Sequence, residues 1–170
     1  MSSSPARNCS TRRGEEALAI RKGLDLDNPW QTAMALISLG EVDRCAGDAA
    51  RGARWFEQAL ATGRGLGDDM IVAWALHNLG HVALQAGDLL AAKTRFQDSL
   101  VLRRRLGSGG DIAAGLAGMA SVALREGDRE EAFRLFGEVD RMLASTHSVL
   151  PPADELVRKA DLCLTPSPFG

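Results

Sequence analysis

Three copies of a forty-residue block constrain this chain more than any other feature. Gly47-Asp48, Gly87-Asp88 and Gly127-Asp128 are spaced by forty residues, as are Ala33, Ala73 and Ala113. The same offset links Leu36, Leu76 and Leu116, then Val42, Val82 and Val122, then Phe56, Phe96 and Phe136. Gly40 and Gly80 align with Ala120 in the third copy. A recurrence at this period marks a stacked repeat protein. Such stacks present an extended surface to partners rather than a pocket for chemistry, which weighs against catalysis.

Each copy reads as two helices. In the second, Asp68-Asp69 offers an N-cap, and Ala73, Leu76, Leu79, Gly80 and Ala83 follow at helical spacing. Gly87 can end that helix in the left-handed conformation, and Asp88 can cap the next. The partner helix carries Leu89, Ala92, Phe96 and Leu100 on one side and stops at Leu106-Gly107. The first copy opens at Asn28-Pro29, a cap followed by proline in the first helical position. The third opens at Asp111, turns at Gly127 and ends near Ala144. No useful length alternates with period two, so no sheet is expected. Gly40, Gly80 and Ala120 fall where the first helix approaches its partner, and Phe56, Phe96 and Phe136 are expected to fill the space between hairpins.

These patterns divide the chain into a disordered tail at 1–13, a repeat domain at 14–150, a capping helix at 151–163 and a tail at 164–170. The repeat domain comprises a partial repeat at 14–27 and full repeats at 28–68, 69–110 and 111–150. Glu15 to Leu26 resembles the close of a second helix without its first. Pro151-Pro152 opens a short amphipathic segment with Leu156, Ala160 and Leu162. Atypical ends can be caps over the stack, or mark a slice of a longer array with exposed ends available for self-association.

Formal net charge is −2, which supplies no bulk drive toward nucleic acid or an anionic membrane. Three scattered cysteines, Cys9, Cys45 and Cys163, argue against a disulfide framework or a zinc site and suit a reducing cytoplasm. The opening MSSSPARNCSTRRG has no apolar stretch, so it reads as neither a secretory signal nor a membrane span. Its Arg and Ser content faintly resembles an organellar transit peptide. Seventeen arginines against three lysines suggest a GC-rich bacterial genome, by association only.

Trp74, Leu76-His77-Asn78-Leu79-Gly80, Gly87-Asp88, Ala92 and Phe96, with Gly127-Asp128, Ala132 and Phe136, resemble tetratricopeptide repeats. The period exceeds the usual ~34 and lies in the range of HEAT-type repeats. Leu-Gly, Gly-Asp and the Ala-then-Phe pair nevertheless favour the tetratricopeptide family. LGHVALQAGDLLAAKTRFQDSLVLRRRLG, AFRLFGEVDRML and LPPADELVRKA together resemble the C-terminal repeat region of bacterial MalT/LuxR-type and antibiotic-regulator-type ATP-dependent transcriptional regulators. That resemblance implies an all-α, right-handed superhelical stack of antiparallel hairpins that receives a partner protein or an inducer. The chain carries neither a GxxxxGK[ST] phosphate loop nor a recognition helix, so ATPase and DNA-binding activities do not transfer.

Few residues suggest chemistry. His77 and His81 are four apart on one helix, a spacing metal sites use, but no acid or cysteine joins them locally and His147 is remote. No metal and no cofactor is therefore expected. Gly63-Arg64-Gly65-Leu66-Gly67 follows a helix rather than a strand, which favours helix termination over phosphate binding. Arg103-Arg104-Arg105 closes a helix, where cations complement the macrodipole, and no aromatic interleaves to stack bases. No nucleophile–base pair or carboxylate dyad emerges, so no enzyme is expected.

Plotted at ~100° per residue, Trp74, His77, Asn78, His81 and Gln85 form one arc of the middle first helix. Met34, Ile37, Ser38, Glu41, Arg44 and Cys45 form the equivalent arc of the first copy. Ala114, Ala117, Gly118, Ser121, Leu124 and Arg125 form that of the third. Side by side these arcs would line a concave groove for a partner peptide or helix, with Trp74 as anchor, Asn78 for its backbone, and Arg44 and Arg125 for acidic groups at the rim. The alternatives are a solvated face with Trp74 buried by its neighbour, or a pocket that senses a small effector.

Overall fold

The computed structural model describes residues 28–163, so the expectations for 1–13, 14–27 and 164–170 lie outside the described residues. Seven helices follow in order: α1 (Pro29–Cys45), α2 (Ala49–Leu66), α3 (Asp69–Ala86), α4 (Leu89–Leu106), α5 (Gly109–Glu126), α6 (Arg129–Thr146) and α7 (Pro152–Cys163). No strand occurs among the described residues. The fold is the expected all-α stack of antiparallel hairpins.

Local chemistry sets the boundaries. Asn28 Oδ1 accepts from the backbone N–H groups of Trp30 and Gln31, with Pro29 in the first helical position. Asp68 Oδ1 accepts from Met70 and Ile71, and Asp88 and Asp128 each accept from the residue three further on. Each cap satisfies a donor that the first helical turn leaves orphaned. Gly87 closes α3 at φ 79°, where a side chain would be strained. His147 takes the corresponding place after α6 with φ 51°.

The third hairpin departs from the expected start at Asp111. Helix α5 begins two residues earlier at Gly109, and Ser108 stands at its cap without a side-chain hydrogen bond. Asp111 does not cap because its carboxylate reaches across to α3, where Trp74 Nε1 donates to Oδ1 at 3.3 Å.

Helices α1 and α2, α3 and α4, and α5 and α6 form the hairpins, and each second helix also packs on the next first helix. The first helices α1, α3 and α5 touch their neighbours and build one continuous face. Between the layers lie Phe56, Phe96 and Phe136, all buried. A Cβ on Gly80 would stand 2.8 Å from the Phe96 ring, and one on Gly118 would stand 2.6 Å away. The middle phenylalanine is thus gripped by glycines of two successive first helices. Among the described residues, no helix is long and apolar enough to cross a membrane.

Helix α7 follows the last hairpin. It packs on α5, along the face of the first helices. Polar anchors hold it there. Ser121 donates to Asp161 Oδ2, and Arg125 pairs with Asp161 Oδ1 at 3.5 Å. Arg158 reaches Asp140 of α6 and lies over the Phe136 ring, 5.9 Å from its centroid. Two buried carboxylates on α7, Asp154 and Asp161, find partners on this face, and that chemistry fixes where the helix lies.

Candidate functional site

A cleft of about 280 Å³ opens on the face built by the first helices. Met34, Ile37, Ser38 and Glu41 of α1 form one wall, and Trp74, His77 and Asn78 of α3 form the floor. Arg103, Asp111 and the start of α7 at Pro151, Ala153 and Asp154 close the far side. Seven of the arc residues of the first and second copies therefore meet in one place. The indole of Trp74 is half-buried and held by Asp111, and Asn78 Nδ2 donates to the Trp74 carbonyl at 3.2 Å.

At the base of the cleft the expectation that His77 and His81 lack a third partner is corrected. Asp154 arrives from α7, with Oδ1 2.9 Å from His77 Nε2 and 2.6 Å from His81 Nε2. The two Nε2 atoms are 3.2 Å apart. All three side chains are buried. Beneath them lies Phe96, whose ring meets His77 and His81 edge-on with centroids 5.4 and 5.0 Å away.

Burial, reinforced by the nearby Arg103 guanidinium, pushes the His77 imidazole down to about 3, so it is neutral at neutral pH. For Asp154 burial works the other way, but attraction to His77 and the hydrogen bonds from both histidines outweigh it. The carboxyl is held well below the usual carboxylate range. The base of the cleft is therefore a carboxylate faced by two imidazoles. His77 Nδ1 is buried without a partner.

The remaining arc residues divide. Arg125 is already paired with Asp161. Arg44 is only 6% exposed and stands outside the cleft, so it is not a rim cation. Gln85 is exposed about two turns beyond the cleft. The arginine run also splits: Arg103 is buried and donates through Nη1 to the Asp111 carbonyl, whereas Arg105 pairs with Asp69 at the surface. Burial lowers the Arg103 pKa while Asp111 and Asp154 oppose the shift. Gly63 and Gly65 lie within α2, and Gly67 ends it at φ 65°, so this stretch terminates a helix as expected.

Asp111, Asp154 and Asp161 escape a reading of the sequence by period. Asp154 lies seventy-seven residues from His77 and outside the repeats. A usable signal was the third arc: Ala117 and Ser121 replace His77 and His81 at the forty-residue offset, and small side chains leave room for a helix to settle.

No curated protein matches this chain. Among solved structures, its fold is similar to that of BtubC (BKLC) from P. vanneervenii, with a TM-score of 0.67 and 19% identity. The alignment covers 83% of this chain but only 60% of that one. The family model for the tetratricopeptide repeat matches residues 31–105 and again 71–139. Overlapping matches over more than half the chain, on hairpins with the expected Gly-Asp turns and inward phenylalanines, make this protein a member of the tetratricopeptide repeat family.

Proposed function

We propose that this protein is an interaction module that binds a peptide segment of a partner protein in the cleft between α1 and α3. Tetratricopeptide repeats generally mediate protein–protein interaction, and the cleft supports assigning that role to this face. The carrying observation is the combination of an apolar wall, Met34 and Ile37, with a half-buried indole and a polar rim on the face that the first helices share. Apolar anchors within a polar rim are the makeup of peptide-recognition grooves.

Charge refines the partner. Glu41, Asp111 and Asp154 line the cleft against the single cation Arg103. Each of these carboxylates already has a partner within the protein, so it is the net negative character of the lining that favours a basic over an acidic residue beside the apolar anchor. Origin in a bacterial signalling or transcriptional regulator, a cytoplasmic setting and self-association through the stack ends belong to the same reading. They rest on the sequence resemblance, the unpaired cysteine spacing and the atypical terminal repeats read from the sequence. A small effector is the competing occupant.

Peptide-array capture followed by calorimetry tests the assignment. Binding of apolar–basic peptides that is lost on Trp74→Ala supports it. Saturable binding of a small metabolite, with no peptide bound, would replace it with effector sensing.

A further inference from the structure

We propose that His77, His81 and Asp154 form a binding site for one divalent transition-metal ion, of which Zn²⁺ is the reference case, and that the ion clamps α7 to α3. This site is independent of the peptide reading. It stands on the convergence of three donor atoms from two elements, in a buried cluster that no repeat-packing requirement explains.

The geometry comes first. His77 Nε2, His81 Nε2 and Asp154 Oδ1 form a triangle with edges of 2.9, 2.6 and 3.2 Å. An ion bound tetrahedrally at the usual ~2.0–2.2 Å needs its donors about 3.3–3.6 Å apart, so the His77–His81 edge already fits and Asp154 must withdraw by roughly 0.5–1 Å to complete a tridentate face. The ring planes of the two histidines are nearly perpendicular, at 87°, so both Nε2 atoms can be directed at one point without stacking the rings. A helical spacing of four residues supplies the first two donors, and α7 supplies the third.

The hydrogen-bonded arrangement without an ion is crowded. If both imidazoles carry their proton on Nε2, two N–H groups converge on one oxygen with their nitrogens 3.2 Å apart. If either carries it on Nδ1, one of the two short contacts to Asp154 loses its hydrogen. An ion removes this conflict, because both Nε2 lone pairs and the carboxylate then face a positive charge. Two imidazole nitrogens and a carboxylate oxygen also suit a borderline ion rather than a hard one, which prefers oxygen.

Charge and access agree. The adjoining cleft carries three carboxylates and one guanidinium, and the Arg103 Nη1 is committed to the Asp111 carbonyl. His77 and Asp154 line the cleft, so a fourth position would face it, open to water or to a donor from a bound partner. One deficit bounds the affinity. Metal at Nε2 requires the proton on Nδ1, and His77 Nδ1 is buried with no acceptor. Lack of such an outer partner commonly weakens binding about 10–100-fold, so the affinity should fall by that factor below a site whose histidines both have one.

The test uses the full chain without a histidine tag, stripped with chelator and titrated with Zn²⁺, Co²⁺ and Mg²⁺ against a competing chromophoric chelator. The expected result is one equivalent of Zn²⁺ or Co²⁺, no competition from Mg²⁺, a Co²⁺ visible spectrum, and protection of α7 from protease on loading. Asp154→Asn and His81→Gln should each weaken Zn²⁺ binding at least about tenfold. His147→Asn, at the exposed histidine that also has a left-handed backbone, should leave it unchanged. Equal affinity in wild type and Asp154→Asn, or loss of binding in His147→Asn, overturns the site. Should the buried substitutions fail to fold, wild type decides alone, since the absence of a saturable one-equivalent Co²⁺ spectrum overturns it as well.

Discussion

His81 Nε2 lies 2.6 Å from Asp154 Oδ1, across seventy-three residues of sequence, and ties the last helix to the middle hairpin. The same imidazole rests edge-on against Phe96. Core packing, a polar contact and the position of α7 are therefore one mechanical unit. A change at any of the three residues should be felt at the other two.

Removing the carboxylate should be costly even in chelated, metal-free protein. Asp154→Ala leaves two buried imidazoles without their shared acceptor and Arg103 with Asp111 as its remaining counter-charge. A lost hydrogen bond to a charged group is worth about 1.5–3 kcal/mol, so a loss of roughly 2–3 kcal/mol in urea unfolding is expected. Limited proteolysis should cut first within Pro152–Cys163. Unchanged stability together with an uncut α7 would show that Asp154 does not hold this helix.

The glycines around Phe96 make a second, more quantitative case. Phe96→Ala should cost about 3–5 kcal/mol through lost burial and a cavity. Gly118→Ala should cost about 1–3 kcal/mol by the opposite route, since its Cβ would stand 2.6 Å from the ring. Combined with Phe96→Leu, the Gly118→Ala penalty should shrink, because the smaller side chain vacates the disputed space. Chemical denaturation of the four proteins in the cycle measures the coupling, and additive effects would place the methyl elsewhere.

Arg125→Glu should now act on stability. Its partner Asp161 is buried, and the substitution sets a like charge beside it, with Ser121 as the remaining hydrogen-bond donor. Arg125 itself is partly exposed, which tempers the effect to about 1–2 kcal/mol. Thermal unfolding in low and high salt checks this, and the deficit should narrow as salt screens the repulsion.

The fold was legible because a forty-residue offset repeats the same packing problem three times, so Phe56, Phe96 and Phe136 announce one another. Caps such as Asn28 and Asp88 were legible because their chemistry is local. Within the site, the α1 and α3 arcs were readable by helical period, as Ile37, Trp74 and Asn78 show. Helix α7 was not, because its place depends on two carboxylates meeting His81 and Ser121, pairs whose separation no periodicity encodes. Arg44 and Arg125 show a related limit, since one is buried and the other is paired with Asp161. Projection onto an arc gives a direction, but not whether that direction is already occupied by the same chain.

The cleft itself is tested best by filling it. Ser38 lines the α1 wall, is only half-buried, and its hydroxyl makes a local bond to the Met34 carbonyl at 3.2 Å. Ser38→Phe should place a ring in the cleft while sacrificing little of the fold, with a melting shift below about 2 °C. Peptide affinity should fall at least about tenfold, the scale of a lost interface anchor. Asn78→Ala should weaken binding less, because one of its amide hydrogens already serves the Trp74 carbonyl. Trp74→Ala should reduce both binding and melting temperature, since the indole is half-buried and bonded to Asp111. Affinity and melting measured on the same three variants separate a binding groove from a merely structural surface. A peptide that binds Ser38→Phe as tightly as wild type would move the interaction to another face of the stack.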